Sequence, residues 1–144
     1  MSDSAPNAVA VEKKVRIILN ATREKRLLAG HLWIFSNEIK EVLAEEKPQP
    51  GDLGVVVTAG GIELGLAFYN PNSLIAGRII TRDPKEPVDA AFFRRRLADA
   101  MSYRERSLPG ETSYRLCFGE SDGLPGLVVD RYGQYLVLQV MSAG

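Results

Sequence analysis

The chain has 144 residues, of which 45% are hydrophobic and 25% are charged, and its formal net charge is zero. This composition suits one or two small globular domains and excludes an intrinsically disordered chain. Because no apolar run approaches the roughly 20 residues that cross a bilayer, we expect a soluble cytoplasmic protein with no membrane partner. With one cysteine and one histidine, the chain has no disulfide framework, and we expect no bound metal.

Charge is distributed unevenly along this neutral chain. Residues 13–40 carry seven basic and two acidic side chains, a balance of +5, and residues 78–106 carry eight and five, a balance of +3. Residues 41–77 carry one basic and five acidic side chains, a balance of −4. Because phosphate binding depends on local charge, the basic segments predict a surface that attracts polyanions. A solvated surface without a partner is the alternative at this point.

The first predicted elements are a tail, a strand and a short helix. Residues 1–13 are small and polar and lack periodicity, so we expect a disordered tail. The run VRIILN (15–20) predicts a strand. The helix that follows should bury Leu27 and Leu28 and should end at Gly30 in a left-handed conformation.

Several short β-runs come next and predict an antiparallel pseudo-barrel. Gly60-Gly61 separates two of them as a hairpin turn. We expect Trp33 and Phe35 to be core residues of this barrel. The predicted runs are 32–44 (one or two strands), 53–59, 62–70 and 74–83.

A segment rich in proline and charge, residues 83–89, predicts a domain boundary. Beyond it, Asp89 is placed to cap a long helix over residues 90–107 that turns Phe93, Leu97, Ala100 and Met101 to one face. Three strands follow, and the last is an apolar edge strand. The predicted fold is mainly β with α: a β pseudo-barrel, then a small α+β unit of one helix and about three antiparallel strands. The predicted strands of this unit are 113–120, 126–133 and 134–141.

Four segments together resemble the N-terminal part of the bacterial class I methyltransferases that methylate carbon 5 of a cytosine in 23S rRNA. The resemblance implies a PUA domain over residues 14–84 and the first portion of a central α/β domain over residues 85–144. The segments are REKRLLAGHLWIFSNEI (23–39), FYNPNSLIAGRI (68–79), AFFRRRL (91–97) and YRLCFGESDGLPGLVVDRYGQYLVLQVMSAG (114–144).

The same resemblance implies that the catalytic domain, which binds S-adenosylmethionine, lies downstream of this chain. The chain has neither a glycine-rich nucleotide-binding loop near its end nor the family's catalytic cysteine. We therefore expect no catalytic residue and no cofactor site here, while S-adenosylmethionine is implied for the full-length parent. We expect this chain alone to be non-catalytic and to recruit 23S rRNA to the downstream domain.

In PUA domains the RNA surface lies around the first helix and the strand after it. Carried onto this chain by resemblance, that surface contains Lys25, Arg26, Gly30 and His31. Arg78 and Arg82, on a later strand, extend the predicted basic surface.

Two other functions are compatible with the residues. Glu120 and Asp122 are spaced as the general acid and base of a self-contained hydrolase would be, although Gly123 and Gly126 beside them favour a plain turn. Cys117 lies in an apolar strand far from the histidine, which favours a buried structural thiol over a nucleophile. A protein-interaction module, with the final apolar strand pairing in trans, is the third possibility.

Overall fold

The computed structural model describes residues 15–144, so the predicted tail at residues 1–13 lies outside the described residues. Six strands form one sheet, and a long helix and a three-stranded sheet follow. The predicted fold class, mainly β with α, is confirmed. The elements of the first part are β1 (Val15–Leu19), α1 (Glu24–Leu28), β2 (Trp33–Phe35), β3 (Ile39–Ala44), β4 (Asp52–Val57), β5 (Glu63–Tyr69) and β6 (Ile75–Thr81). Those of the second part are α2 (Ala90–Ser107), β7 (Ser113–Phe118), β8 (Leu127–Tyr132) and β9 (Tyr135–Val140).

The six-stranded sheet has the order β2-β6-β5-β4-β1-β3. Four of its neighbouring pairs are antiparallel, but β1 pairs with β4 in parallel, with Ile17 opposite Val56. The expectation of a wholly antiparallel unit was therefore wrong for this pair. Parallel neighbours need a long crossover connection, and residues 20–51 supply one that contains α1, β2 and β3.

The sheet is buried on both faces and separates two cores. Successive residues of β4 alternate between them: Val55 and Val57 pack in one core and Val56 in the other. Side chains of a strand point alternately to opposite faces, so a fully buried strand needs a covering layer on each side. The inner core holds Val15, Ile17, Leu19, Leu27, Ile34, Val56, Ala67 and Ile79. The outer core holds Val55, Val57, Leu66, Ile80, Phe92, Leu116, Cys117, Leu124 and Val129.

Helix α2 packs on β7 and inserts Phe92 into the outer core, which it shares with the six-stranded sheet. It begins as predicted, because the Asp89 side chain accepts a hydrogen bond of 2.9 Å from the Phe92 backbone N–H. Phe92 has 0% of its surface exposed, whereas Met101, on the predicted buried face, is 39% exposed. The buried residues of the helix are therefore Phe92 and Ala100. Of the other residues on the predicted face, Phe93 and Leu97 are partly buried against the outer core.

The second sheet has the order β7-β8-β9 and ends in an exposed edge. Strand β8 buries Val128 and Val129, but every residue of β9 is exposed. The predicted apolar edge strand is thus confirmed. Because the outer core joins residues of both sheets, the two parts share one hydrophobic cluster, and the domain boundary at residues 84–85 stays a prediction.

Candidate nucleic-acid interface

Helix α1 ends in an open, glycine-dependent turn. Gly30 donates its N–H to the Leu27 carbonyl at 3.0 Å and has a φ of 106°, which side-chain-bearing residues rarely adopt. No atom lies within 4 Å of the place where a Cβ would stand, so the backbone here is open to an approaching ligand. Leu28 is 67% exposed, and its predicted burial was wrong, because only Leu27 of this one-turn helix faces the inner core.

Arg82 fixes this turn from the end of β6. Its Nη1 donates to the Leu27 carbonyl at 2.7 Å and its Nη2 donates to the His31 carbonyl at 3.1 Å. The last carbonyls of a helix have no partners within the helix, and a cation beside them is also favoured by the helix dipole. Arg82 forms no ion pair with a carboxylate in residues 15–144, so its positive charge is not neutralised locally.

Arg26 is engaged within the protein. Its Nη1 lies 2.6 Å from Oε1 of Glu38, and its guanidinium lies 5.0 Å from the centre of the Phe35 ring. The second oxygen of Glu38 accepts the Phe35 backbone N–H at 2.9 Å, and the Glu38 side chain is only 7% exposed. Arg26 therefore secures α1 to the segment after β2, and most of its charge is compensated by a buried carboxylate.

Lys25 and His31 are exposed on either side of the Gly30 turn. Lys25 forms no ion pair among the described residues. We call Lys25, Gly30, His31 and Arg82 the α1–β2 surface. The fold brings these four sequence-predicted residues together, with open backbone, an exposed imidazole and two cations that have no carboxylate partner between residues 15 and 144.

Arg78 belongs to a neighbouring cluster. It lies opposite Trp33 in the β2–β6 register, and its guanidinium is 5.5 Å from the centre of the indole ring. Trp33 Nε1 donates to Oε1 of Glu120 at 2.7 Å, and Arg78 Nη1 donates to the same oxygen at 2.9 Å. Trp33 is 41% exposed, so the expectation of a core tryptophan was wrong. Successive side chains of a strand point to opposite faces, so Ile34 enters the inner core while Trp33 lies on the other face, beside Glu120.

Glu120 and Asp122 do not form a catalytic pair. Burial raises the pKa of Glu120, but hydrogen bonds from Trp33 and Arg78 and the Arg78 charge outweigh it and hold that pKa below its usual value. Asp122 accepts two hydrogen bonds from Arg104 and one from the Phe118 backbone N–H. A general acid needs a raised pKa and a proton to give, whereas the pKa of Glu120 is lowered and Asp122 is engaged by Arg104, and this counts against the hydrolase.

Cys117 is a structural residue. It is fully buried, and its Sγ lies 3.7 Å from the Leu127 carbonyl oxygen. Burial and the nearby charge of Asp122 raise the pKa of the Cys117 thiol, which disfavours the reactive thiolate. Within residues 15–144, no cluster of three or more histidine, cysteine, aspartate or glutamate side chains is placed to hold a metal ion.

An open cleft of about 560 Å³ lies between the six-stranded sheet and α2. Its walls include Arg82, directly after β6, Arg96 and Tyr103 from the helix, and Glu120, which is hydrogen-bonded to Trp33. The volume is in the range of small-ligand sites. The cleft thus extends from Arg82 of the α1–β2 surface to Glu120, which contacts Trp33 and Arg78.

Sequence reasoning missed the residues that hold this region in place. Glu120 contacts Trp33 and Arg78 across 87 and 42 positions of sequence, and Arg104 reaches Asp122 across 18. No pattern of neighbouring residues in the sequence predicts such pairs. The polar and glycine residues at 119–126 predict a turn, but the side chains that this turn contacts depend on the tertiary fold.

Comparison with protein families identifies the first part of the chain. Residues 17–82 match the model of the PUA-like domain. This part of the chain has a PUA-like fold. The match spans the six-stranded sheet from the second half of β1 through β6, so Lys25, Gly30, His31, Arg78 and Arg82 all lie within the PUA-like domain.

Curated relatives extend the similarity into the second part. The chain is 46% identical over 132 residues to a ribosomal RNA large subunit methyltransferase I from Cronobacter sakazakii, covering 90% of this chain and 33% of the relative. Proteins of the same name from Salmonella arizonae and Escherichia coli are 45% and 46% identical over 90% of this chain, which covers 32% and 33% of them. The chain thus spans about a third of the length of these relatives.

Solved structures share the fold at low sequence identity. A SAM-dependent methyltransferase from Streptococcus mutans aligns with a TM-score of 0.72 at 18% identity, over 89% of this chain and 33% of that one. A methyltransferase complexed with SAH aligns with a TM-score of 0.73, also at 18% identity and with the same coverage. At this identity the likeness supports the arrangement of the PUA-like domain, α2 and the second sheet, and nothing further. Within residues 15–144, no helix is long and apolar enough to cross a membrane.

Proposed function

We propose that this chain is the RNA-binding N-terminal region of an S-adenosylmethionine-dependent rRNA (cytosine-C5) methyltransferase of the bacterial cytoplasm. In this proposal the PUA-like domain, over residues 14–84, recruits 23S rRNA, and residues 85–144 begin a central α/β domain. The methyl donor and the catalytic cysteine belong to a downstream catalytic domain. The observation that carries the proposal is the 46% identity to the large-subunit rRNA methyltransferase of Cronobacter sakazakii over 90% of this chain.

The α1–β2 surface supports RNA binding by this region. Lys25 and Arg82 are cations without carboxylate partners among the described residues, and they flank an open backbone turn at Gly30. Such cations bind phosphate groups, and these contacts position RNA without reading its sequence. Arg26 contributes indirectly, because its pairing with Glu38 holds α1 in place.

The test is RNA binding by the unaltered 144-residue chain, measured by fluorescence anisotropy of a labelled 23S rRNA fragment between about 50 and 200 mM salt. Lys25→Glu should weaken binding and reduce the salt slope by about 0.7 or more, since one phosphate contact is lost. Lys47→Glu is the matched control, because Lys47 is an exposed lysine in the loop after β3, at the opposite edge of the sheet. Arg26→Glu is unsuitable, since it places a second carboxylate beside Glu38.

The two lysine variants carry the same change in net charge, so a difference between them locates the RNA. Equal affinities and equal salt slopes for both variants would argue against the α1–β2 surface. Failure of the unaltered chain to bind the rRNA fragment at low salt would argue against RNA recruitment by this region.

One observation favours the protein-interaction module as a second candidate. Strand β9 is an unpaired edge whose apolar residues Leu136, Leu138 and Val140 are 55%, 61% and 69% exposed. Such an edge can pair with the β9 strand of a second copy. Light scattering over a range of concentrations tests this: association that Leu138→Lys abolishes would support it, and a constant monomer mass would oppose it.

A further inference from the structure

Trp33 is exposed where a buried residue was expected. It is the single tryptophan of the chain, and its indole lies on edge strand β2 with 41% of the residue surface accessible. Its neighbour Ile34 is fully buried in the inner core, so the strand itself is firmly anchored. A large aromatic side chain contributes less to stability when it is exposed to solvent than when it is buried. Exposed tryptophans are typical of binding surfaces.

The indole is also held in one orientation. The bond from its Nε1 to Glu120 fixes one edge of the ring, and the Arg78 guanidinium lies over one face. Glu120 is itself held by Arg78 and by its place in the short helical turn Gly119–Asp122 that follows β7. A ring ordered before binding loses little rotamer entropy when a ligand stacks on it.

The surroundings suit a nucleotide better than an apolar ligand. Glu120 borders the cleft that also exposes Arg82 and Arg96. Arg82 has no carboxylate partner among the described residues, whereas Arg96 lies 4.0 Å from Glu86 and over the Phe92 ring. Three carboxylates line the same cleft: Glu120 is paired with Arg78, Asp122 with Arg104, and Asp99 remains as an opposing charge. Unpaired bases bind proteins by stacking on aromatic rings, while adjacent cations hold the backbone.

We infer that Trp33 is a stacking site for an unpaired base of the bound RNA, with Glu120 as its positioning residue and Arg78 as the cation that covers one face of the indole. This inference rests on the proposed RNA-binding function and adds a residue to the predicted surface. The phosphate next to the stacked base lies toward Arg82 and Arg96. The same RNA strand therefore runs from the α1–β2 surface along the cleft.

The experiment uses the intrinsic fluorescence of Trp33 in the unaltered chain. Titration with a single-stranded oligoribonucleotide should quench the emission to a saturating level, because a stacked base contacts the ring directly. An abasic oligomer with the same number of phosphates should bind more weakly and leave the emission nearly unchanged. If both oligomers bind equally and neither changes the emission, the stacking site is refuted while RNA binding through phosphates survives.

Affinities of variants are measured with labelled RNA, so they do not depend on tryptophan emission. Trp33→Leu should weaken binding about 5- to 150-fold, the loss measured when one stacked base is removed, and Trp33→Phe should retain part of the affinity. Tyr135→Leu, an exposed aromatic on β9, is the control and should bind as the parent does. An unchanged affinity for Trp33→Leu would overturn the inference and leave Trp33 as a contact for a protein.

Glu120 is tested by the mobility of the indole. Glu120→Gln keeps an acceptor for the indole N–H and should keep the high fluorescence anisotropy of Trp33, whereas Glu120→Ala should lower both the anisotropy and the RNA affinity. Equal anisotropy in both variants would refute the positioning role. If the unaltered chain binds no RNA at all, the proposed function and this inference fail together. If it binds RNA but Trp33 emission and the affinity of Trp33→Leu are unchanged, only the stacking site fails.

Discussion

Replacing Phe92 by alanine tests whether the two sheets form one cooperative unit. The Phe92 ring has 0% of its surface exposed and lies in the outer core, which takes Val55, Leu66 and Ile80 from the six-stranded sheet. The same core takes Leu116, Cys117, Leu124 and Val129 from the second part of the chain. Loss of the ring therefore removes contacts between the parts as well as within them.

The expected loss of stability in Phe92→Ala follows from the complete burial of the Phe92 ring. Phenylalanine-to-alanine changes in a core cost about 3–5 kcal/mol, since the transfer of the ring and the cavity left behind both disfavour folding. With a urea dependence of about 2 kcal/mol per molar, the unfolding midpoint should fall by about 1.5–2.5 M. Met101→Ala, on the same helix at a site that is 39% exposed, should change the free energy of unfolding far less.

The assay is urea unfolding followed by far-UV circular dichroism and by Trp33 emission. In the parent and in Phe92→Ala, both measurements should report one transition at the same midpoint, and the variant should shift it as a whole. Two dichroism transitions, of which Phe92→Ala shifts only one, would refute the reasoning. The parts would then unfold independently, and the predicted boundary at residues 84–85 would separate two thermodynamic domains.

Three further predictions concern charged side chains of the site. Asp122→Asn should lower the free energy of unfolding by about 3 kcal/mol, because the Asp122 and Arg104 side chains are only 10% and 14% exposed and the arginine loses its partner; an unchanged melting temperature would contradict this. The pKa of Glu120 lies below its ordinary value of 4.5, so its stabilising contribution is present above that pH and is lost as pH falls through the folded-state pKa. Glu120→Gln should therefore flatten the loss of stability in acid, as followed by thermal unfolding, and an acid dependence equal to the parent's would count against the Glu120 contacts. Arg82→Lys keeps the charge but cannot reach both carbonyls, so hydrogen exchange of the Gly30 and His31 amides should speed up; equal protection would show that Arg82 does not fix the turn.

Much of the local structure follows from the sequence because its causes are local. The Asp89 cap and the helix from Ala90 to Ser107 are set by residues within a few positions of one another. The left-handed turn at Gly30 is equally local, since it depends on the missing side chain. The β-runs are visible because apolar, β-branched residues cluster between glycine and proline turns. The predicted RNA surface followed from a resemblance that is itself carried by contiguous segments.

Contacts between distant segments were beyond such reasoning. Strands, helices, turns and basic stretches could be predicted from the amino-acid order, because those properties depend on neighbouring residues. The folded structure was needed to show that β1 runs parallel to β4, that Phe92 rather than Met101 enters the core, and that Arg26 pairs with Glu38. It also placed Trp33 in water, held by Glu120 from 87 residues away. Burial and ion pairing depend on which surfaces of distant segments come into contact, and neighbouring residues in the sequence do not determine that contact.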